Sequence, residues 1–269
     1  MKYYVVDAFA ENLFEGNPAG VCVMEDWLSD GMMQKIASEN NLSETAFAVK
    51  EGDSNNYHLR WFTPGGEIDL CGHATLATAY VITNFYEKEL EKIRFQTLSG
   101  ELVVLKKSNL YVLDFPSINV EEYMLTEQMV EALGVRPIET YLGRDLVFVL
   151  ENEEAVLNLS PDFAKLAQFP EGLAVFVTAK GKAVDFVSRA FWPKLQVNED
   201  PVCGSAHCSL TPFWAKRLGK NEMIARQLSK RGGTLFCIYN EDRVKISGSA
   251  ILYSIADLQL NQKVIKVLL

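Results

Sequence analysis

The sequence predicts an α+β fold of two pseudo-symmetric halves, each a barrel of mixed and antiparallel strands wrapped around a central buried helix. Three observations lead there. Residue patterns recur, in order, at a spacing near half the chain length. Short strand-like runs outnumber helical ones and do not alternate with them as a doubly wound sheet requires. Each half also contains one apolar helix that follows directly on a glycine-containing turn.

The repeat organises the chain. Arg60-Trp61-Phe62-Thr63-Pro64 returns as Arg189-Ala190-Phe191-Trp192-Pro193, an R-x-F-x-P pattern 129 positions further on. Phe47-Ala48-Val49 returns as Phe176-Val177-Thr178 at the same spacing. Cys71-Gly72-His73-Ala74 matches Cys203-Gly204-Ser205-Ala206 at 132, so the second loop is three residues longer. Ser99-Gly100 and Gly232-Gly233 each precede a strand-like run at 133. Two homologous halves are expected, 1–117 and 118–269.

Taken in order, the elements fit that plan. Met1–Phe9 is a strand-like run. A surface helix over Ser29–Asn40 has Met32, Met33, Ile36 and Ala37 at helical spacing, then hands over at Asn40-Asn41-Leu42-Ser43 to a strand, Thr45–Lys50. Alternating strands at His58–Thr63 and Ala183–Ala190 lead into the two turns. The first central helix, Ala74 to Phe85, carries almost no charge and is expected to be buried on all sides. The second, Ala206 to Leu218, stops at Gly219, a C-cap signal after Lys216 and Arg217.

The composition is that of an ordinary globular chain with ample core, with 48% hydrophobic and 23% charged residues among 269. A net charge of −9 repels polyanions, and no basic patch alternates with aromatics, so no nucleic-acid partner is expected. Met1–Phe9 lacks the apolar core and cleavage site of a secretory leader. No run of about 18 uncharged apolar residues is present to span a bilayer. A cytoplasmic protein that does not enter membranes follows as the expectation. The five scattered cysteines (Cys22, Cys71, Cys203, Cys208, Cys237) suit free thiols in a reducing compartment better than disulfides. Neither a G-x-G-x-x-G turn nor a phosphate loop appears, so no nucleotide cofactor is expected.

The repeated turns hold the candidate chemistry. Asp69-Leu70-Cys71-Gly72-His73 and Asp200-Pro201-Val202-Cys203-Gly204-Ser205 each set a glycine at the mouth of a buried helix. The first helical N–H groups lack internal partners and sit at the positive end of the dipole, so Gly72 and Gly204 are expected to cradle a substrate carboxylate. The plainer reading is a pair of tight strand-to-helix connections. Glu44 lies at a strand start, and its repeat counterpart is Leu173, so only one half has the acid. On spacing alone Glu44 reads as a surface acid; if buried in the cleft, it would suit single-base proton transfer. His73 is either a helix cap or a donor to an enolate or carboxylate. His58 reads as exposed and His207 as structural.

Cys71 and Cys203 occupy equivalent positions and permit a rival reading, a two-thiol racemase or epimerase in which the helix dipoles lower the thiol pKa. The plainer reading makes them small apolar fillers. Zinc is the least favoured option, because Cys71, His73, Cys203, His207 and Cys208 reproduce no C-x-x-C or H-x-x-x-H spacing. No metal is expected.

With these residues in view, the chain resembles the PhzF-like (phenazine-biosynthesis isomerase) family. The matching segments are Val6–Phe9, Gly16–Ala19, Glu39–Phe47, Arg60–Pro64, Asp69–Thr75, Asn198–Pro201 and Gly204–His207. The resemblance implies the diaminopimelate-epimerase-like fold, a homodimer, no cofactor, and a small carboxylate-bearing substrate. By motif, the catalytic roles fall on Glu44, His73, Asp200 and Ser205, with Ser43, Gly72, Gly204 and Asn17 expected to bind substrate. Position 203 departs from the family's usual Thr, which keeps the two-cysteine epimerase open. A non-catalytic binding protein on the same fold is the third class.

Overall fold

The computed structural model describes residues 1–52 and 55–260. Its strands follow one pattern twice. In the first half, Asn17–Met24 runs parallel to Glu44–Lys50, which pairs antiparallel with Asn56–Thr63. That strand turns into the short Gly66–Ile68 and also takes Lys92–Thr97 in parallel. Gly100–Lys107 and Leu110–Pro116 then follow as antiparallel neighbours. In the second half Leu146–Val149 runs parallel to Val175–Lys180, which pairs with Phe186–Trp192. Val197–Asp200 and the parallel Glu222–Gln227 flank that strand, and Gly233–Asn240 and Arg243–Gly248 complete the set. The fold is therefore the expected α+β arrangement of paired strand sets.

The two sets are joined symmetrically. Leu110–Pro116 pairs antiparallel with Arg243–Gly248, the last members of the two series. The chain then enters the second half and later returns to the first. Glu121–Glu122 pairs with Glu139–Leu142 in the second half, and Ala250–Asp257 returns to pair with Lys2–Ala8 in the first.

Two helices occupy the centre. Gly72–Val81 begins two residues before the expected start and continues as a π-helical turn over Ile82–Tyr86. Its alanines are fully buried, and the hydroxyls of Thr75, Thr78 and Thr83 donate to the carbonyls of Cys71, Ala74 and Ala79, so the polar groups enter the core already satisfied. The second helix spans Gly204–Leu218 and ends at Gly219 in the left-handed region (φ 66°). Pro212 lies inside it and offers no N–H to Cys208, four residues earlier. The Cys208 carbonyl instead accepts from Ile118 N at 2.9 Å, so the chain segment between the halves fills the gap.

The core joins both central helices to the inner faces of both strand sets, through Trp61, Phe95, Leu76, Phe176, Phe186 and Leu210. The Asp30–Asn40 helix covers the outer face of the first set with Met33, Ile36 and Ala37. Short helices at Glu127–Leu133, Glu153–Leu157 and Phe163–Leu166 cover the second. Each repeated arginine does the same work in its half. Arg60 clamps Glu67 through two bonds of 2.6 and 2.7 Å, and Arg189 clamps Glu199 at 2.6 and 3.0 Å. Each also lies over the phenylalanine two residues on, Phe62 or Phe191. Among the described residues no helix is long and apolar enough to cross a membrane.

Candidate active site

Strand geometry decides where Glu44 points. Side chains alternate along Glu44–Lys50, so Glu44 shares a face with Ala46 and Ala48, which pack on the central helices. Thr45, Phe47 and Val49 take the other face, where Phe47 and Val49 pack on the covering helix. The acid is thus aimed at the helix mouth, and its side chain is only 16% exposed. His73, on the first turn of Gly72–Val81, meets it there. Its Nε2 lies 3.0 Å from Glu44 Oε2, but the two are not aligned as a hydrogen bond. Both atoms are buried, and among the described residues neither has a hydrogen-bond partner.

The other ring nitrogen faces the second half. His73 Nδ1 lies 3.2 Å from Asn17 Nδ2 and 3.5 Å from Cys71 Sγ. The Asn17 amide donates to Asp200 Oδ1 at 2.7 Å and to the Val202 carbonyl at 3.0 Å. One buried asparagine therefore ties the first helix mouth to the turn before the second. That turn is fixed by Gln227, which is fully buried. Its Nε2 donates to the Asp200 carbonyl at 2.6 Å and its Oε1 accepts from Cys203 N at 2.9 Å. Ser205 Oγ lies 3.3 Å from Cys203 Sγ.

The geometry gathers Glu44, His73, Asn17, Asp200, Cys71, Cys203 and Ser205 around the two mouths. Ser43 is exposed on the turn before Glu44. Neither helix is capped by a side chain, since Cys71 and Cys203 occupy the N-cap positions without donating or accepting there. A Cβ added to Gly204 would meet nothing within 4 Å, and one on Gly72 only the Phe115 ring at 3.4 Å. Each glycine thus leaves room beside its Cα at the helix mouth. His58 is exposed and faces Glu51 at 3.5 Å. His207 is buried, and its Nδ1 donates to the Cys203 carbonyl at 2.7 Å, a structural role as expected. Gln227 and Arg231 support the site and were not legible in the sequence, because no local pattern marks them; Asp7, which pairs with Arg231, lies in the matching segment Val6–Phe9, but nothing local assigns it that role.

Burial dominates the electrostatics. It pushes the Asp200 carboxyl up to about 6, and Glu44 nearby acts in the same direction while His73 opposes it. For His73 burial favours the neutral ring, but the Cys71 sulfur and the Glu44 carboxylate outweigh it and raise the ring well above its ordinary value. Since burial also raises Cys71, that residue stays a thiol and Glu44 is the lasting support. The expectation that helix dipoles lower the thiol pKa values is corrected. Both Cys71 and Cys203 are raised, because each sulfur is buried beside a carboxylate and desolvation outweighs the dipole. Burial likewise lowers His207 to about 4, which keeps it neutral.

Donor atoms of Glu44, Cys71 and His73 lie within 4.8 Å of one another. They form a poor metal set, because His73 turns Nε2 to the acid and Nδ1 to the thiol, and the thiol keeps its proton. Two surface cavities of about 490 and 530 Å³ lie elsewhere and are lined by none of these residues.

The phenazine biosynthesis-like protein (PhzC-PhzF) family model matches residues 6–255. An uncharacterized isomerase of Pseudomonas aeruginosa is 47% identical over 262 residues, covering 97% of this chain and 99% of that protein. A phenazine biosynthesis-like domain-containing protein of Homo sapiens is 39% identical over 280 residues, with 93% and 96% covered. The crystal structure of a PhzF-family protein from Enterococcus faecalis superposes with a TM-score of 0.93 at 55% identity, covering 96% of this chain and 99% of that one. A probable proline racemase from Agrobacterium radiobacter, at 9% identity and a TM-score of 0.65, with 97% and 93% covered, shares the fold alone. The chain belongs to the phenazine biosynthesis-like family of isomerases.

Proposed function

We propose that the chain is a cofactor-independent isomerase that moves a proton within a small carboxylic acid, with Glu44 as the acid/base group. One observation carries this reading. Glu44 Oε2 and His73 Nε2 are buried and face each other at 3.0 Å, and among the described residues neither makes an aligned hydrogen bond, which is how acid/base groups stand before a substrate completes their hydrogen bonds.

In the proposed step Glu44 takes a proton from carbon, and the C–H electron pair moves into an enolate-like system. His73 and the open N–H groups at Gly72 and Gly204 are fixed donors suited to the charge that develops on the substrate carboxylate. Glu44 then returns the proton to a different carbon, so atoms and charge balance without a co-reactant. Asp200 and Ser205 complete the far wall.

The two-cysteine alternative requires a thiolate on one face, and the burial that raises both thiols opposes it. The test is a screen for solvent-deuterium incorporation into small carboxylic acids, followed by Glu44→Gln and Cys203→Thr on any substrate found. Loss of exchange in Glu44→Gln with near-normal exchange in Cys203→Thr is expected. Full activity in Glu44→Gln overturns the reading.

A further inference from the structure

The seam behind Asn17 is unusually well tied. Arg231, from the second half, donates Nε to the Gly16 carbonyl at 2.8 Å and one terminal nitrogen to the Glu15 carbonyl at 2.9 Å. The same nitrogen reaches Asp7 Oδ1 at 2.7 Å. Asp7 is 2% exposed, and its other oxygen accepts from Phe14 N at 3.2 Å. Gly16 N donates to the Gly232 carbonyl at 2.7 Å. Gly16 itself has φ 68° and its Cβ position lies 2.2 Å from the Ala8 carbonyl oxygen, so only glycine makes this turn. The carbonyls of Glu15 and Gly16 and the N–H of Phe14 are thus held by a part-buried ion pair that spans both halves.

Asn17 passes that constraint on. Its amide nitrogen faces two acceptors, Asp200 Oδ1 and the Val202 carbonyl, and a flipped amide would set oxygen against both. The orientation is therefore fixed, and the NH2 group is what His73 Nδ1 meets at 3.2 Å. The second neighbour of Nδ1 is the Cys71 sulfur, held as a thiol by burial. The NH2 group has two hydrogens for three acceptors, so His73 Nδ1 shares one of them. With that N–H on one side and the Cys71 S–H on the other, the neutral ring's Nδ1 accepts and its proton sits on Nε2, the nitrogen that faces Glu44.

We propose that Asn17, braced by the Asp7–Arg231 pair, is a positioning residue that holds Asp200 beside His73 and, when the ring is neutral, selects the His73 tautomer with its proton toward Glu44. The proposal deepens the proton-transfer reading given above and rests on it for its catalytic meaning, but not for its test. Arg231 and Asp7 touch no reacting atom and act through Asn17.

The experiment is nitrogen NMR of the full chain labelled with 15N at its histidines, with the His73 signals assigned by their loss in His73→Gln. Glu44, Cys71 and Asp200 are the titratable groups facing the ring, so spectra are taken as pH is raised until His73 is neutral. In the unaltered protein Nδ1 is expected to show as an acceptor and Nε2 as the protonated nitrogen. Asn17→Ala is expected to mix the two tautomers and to slow deuterium exchange by about 10²-fold, the cost of misplacing a reacting group by about an ångström. Arg231→Gln is expected to shift the His73 signals in the same sense, and Arg231→Lys, the milder change if Arg231→Gln does not fold, to shift them less. Unchanged His73 signals in folded Asn17→Ala overturn the proposal, and unchanged signals in both Arg231 variants remove the brace. Failure of the Glu44 mechanism would instead show as exchange surviving Glu44→Gln, whatever the tautomer.

Discussion

At the mouth of the Gly72–Val81 helix, the residue after the glycine is His73, and the carboxylate it faces comes from a neighbouring strand. At the mouth of the Gly204–Leu218 helix the same repeat position holds Ser205, and the carboxylate is that of Asp200, the last residue of the strand that leads into the turn. What supports the two mouths is nonetheless alike. A cysteine in extended conformation occupies each N-cap. Its carbonyl accepts from the side chain four residues on, Thr75 Oγ1 at 2.6 Å in one case and His207 Nδ1 at 2.7 Å in the other. An arginine–glutamate clamp braces the preceding hairpin in each half. The comparison separates two requirements. Cradling a carboxylate needs only backbone N–H groups, which a repeated scaffold supplies twice. Moving a proton needs a side-chain acid at one place, and only the first half carries Glu44.

The largest effect expected from breaking this asymmetry is at Glu44. Removing a general base typically costs about 10²–10⁴-fold, so Glu44→Gln should nearly abolish exchange while the melting curve stays cooperative. Adding Leu173→Glu to that variant should restore nothing, because Leu173 is 54% exposed, where Glu44 is enclosed. Recovery of activity would show that the two mouths are interchangeable.

Asp200 tests the second mouth through stability. Its carboxyl is pushed up from 3.8 to about 6, so the fold keeps a proton there that the unfolded chain has lost. That contribution is fully present below about pH 4 and is lost as the pH rises through about 6. Asp200→Asn, which never ionises, should therefore gain in melting temperature relative to the unaltered protein above about pH 6 and lose that gain toward pH 4. Melting temperatures that run parallel across this range would contradict the assignment.

The cysteine pair should matter less. Both thiols are buried and raised, so alkylation of the native protein should be slow, and Cys203→Thr should leave exchange near normal. Rapid inactivation by an alkylating agent would favour the thiol mechanism. The smallest effect is expected at Thr75. Thr75→Val keeps the shape and removes one donor, while Thr75 N still reaches the Cys71 carbonyl at 3.1 Å. A loss of about 1 kcal/mol is expected in denaturant unfolding, and a much larger one would mean that the hydroxyl sets the N-cap geometry.

The sequence by itself determined the α+β class, the repeated strand pattern and the two central helices, because repeats, helix signals and turn glycines are local patterns that survive in one dimension, and it named the residues of the candidate site. It placed the first central helix two residues late, since Gly72 and His73 enter a helix that no side chain caps. It placed the Asp200 to Ser205 turn beside His73 only by analogy between the repeats. The tertiary structure decided what local pattern cannot express. Strand pleating turned Glu44 inward when its spacing alone suited a surface acid. Desolvation, which depends on everything packed around a group, raised the thiols that a helix dipole alone would lower. Partners more than 180 residues apart in sequence, Asn17 with Asp200 and Arg231 with Asp7, met because the two strand series pair with each other at both ends.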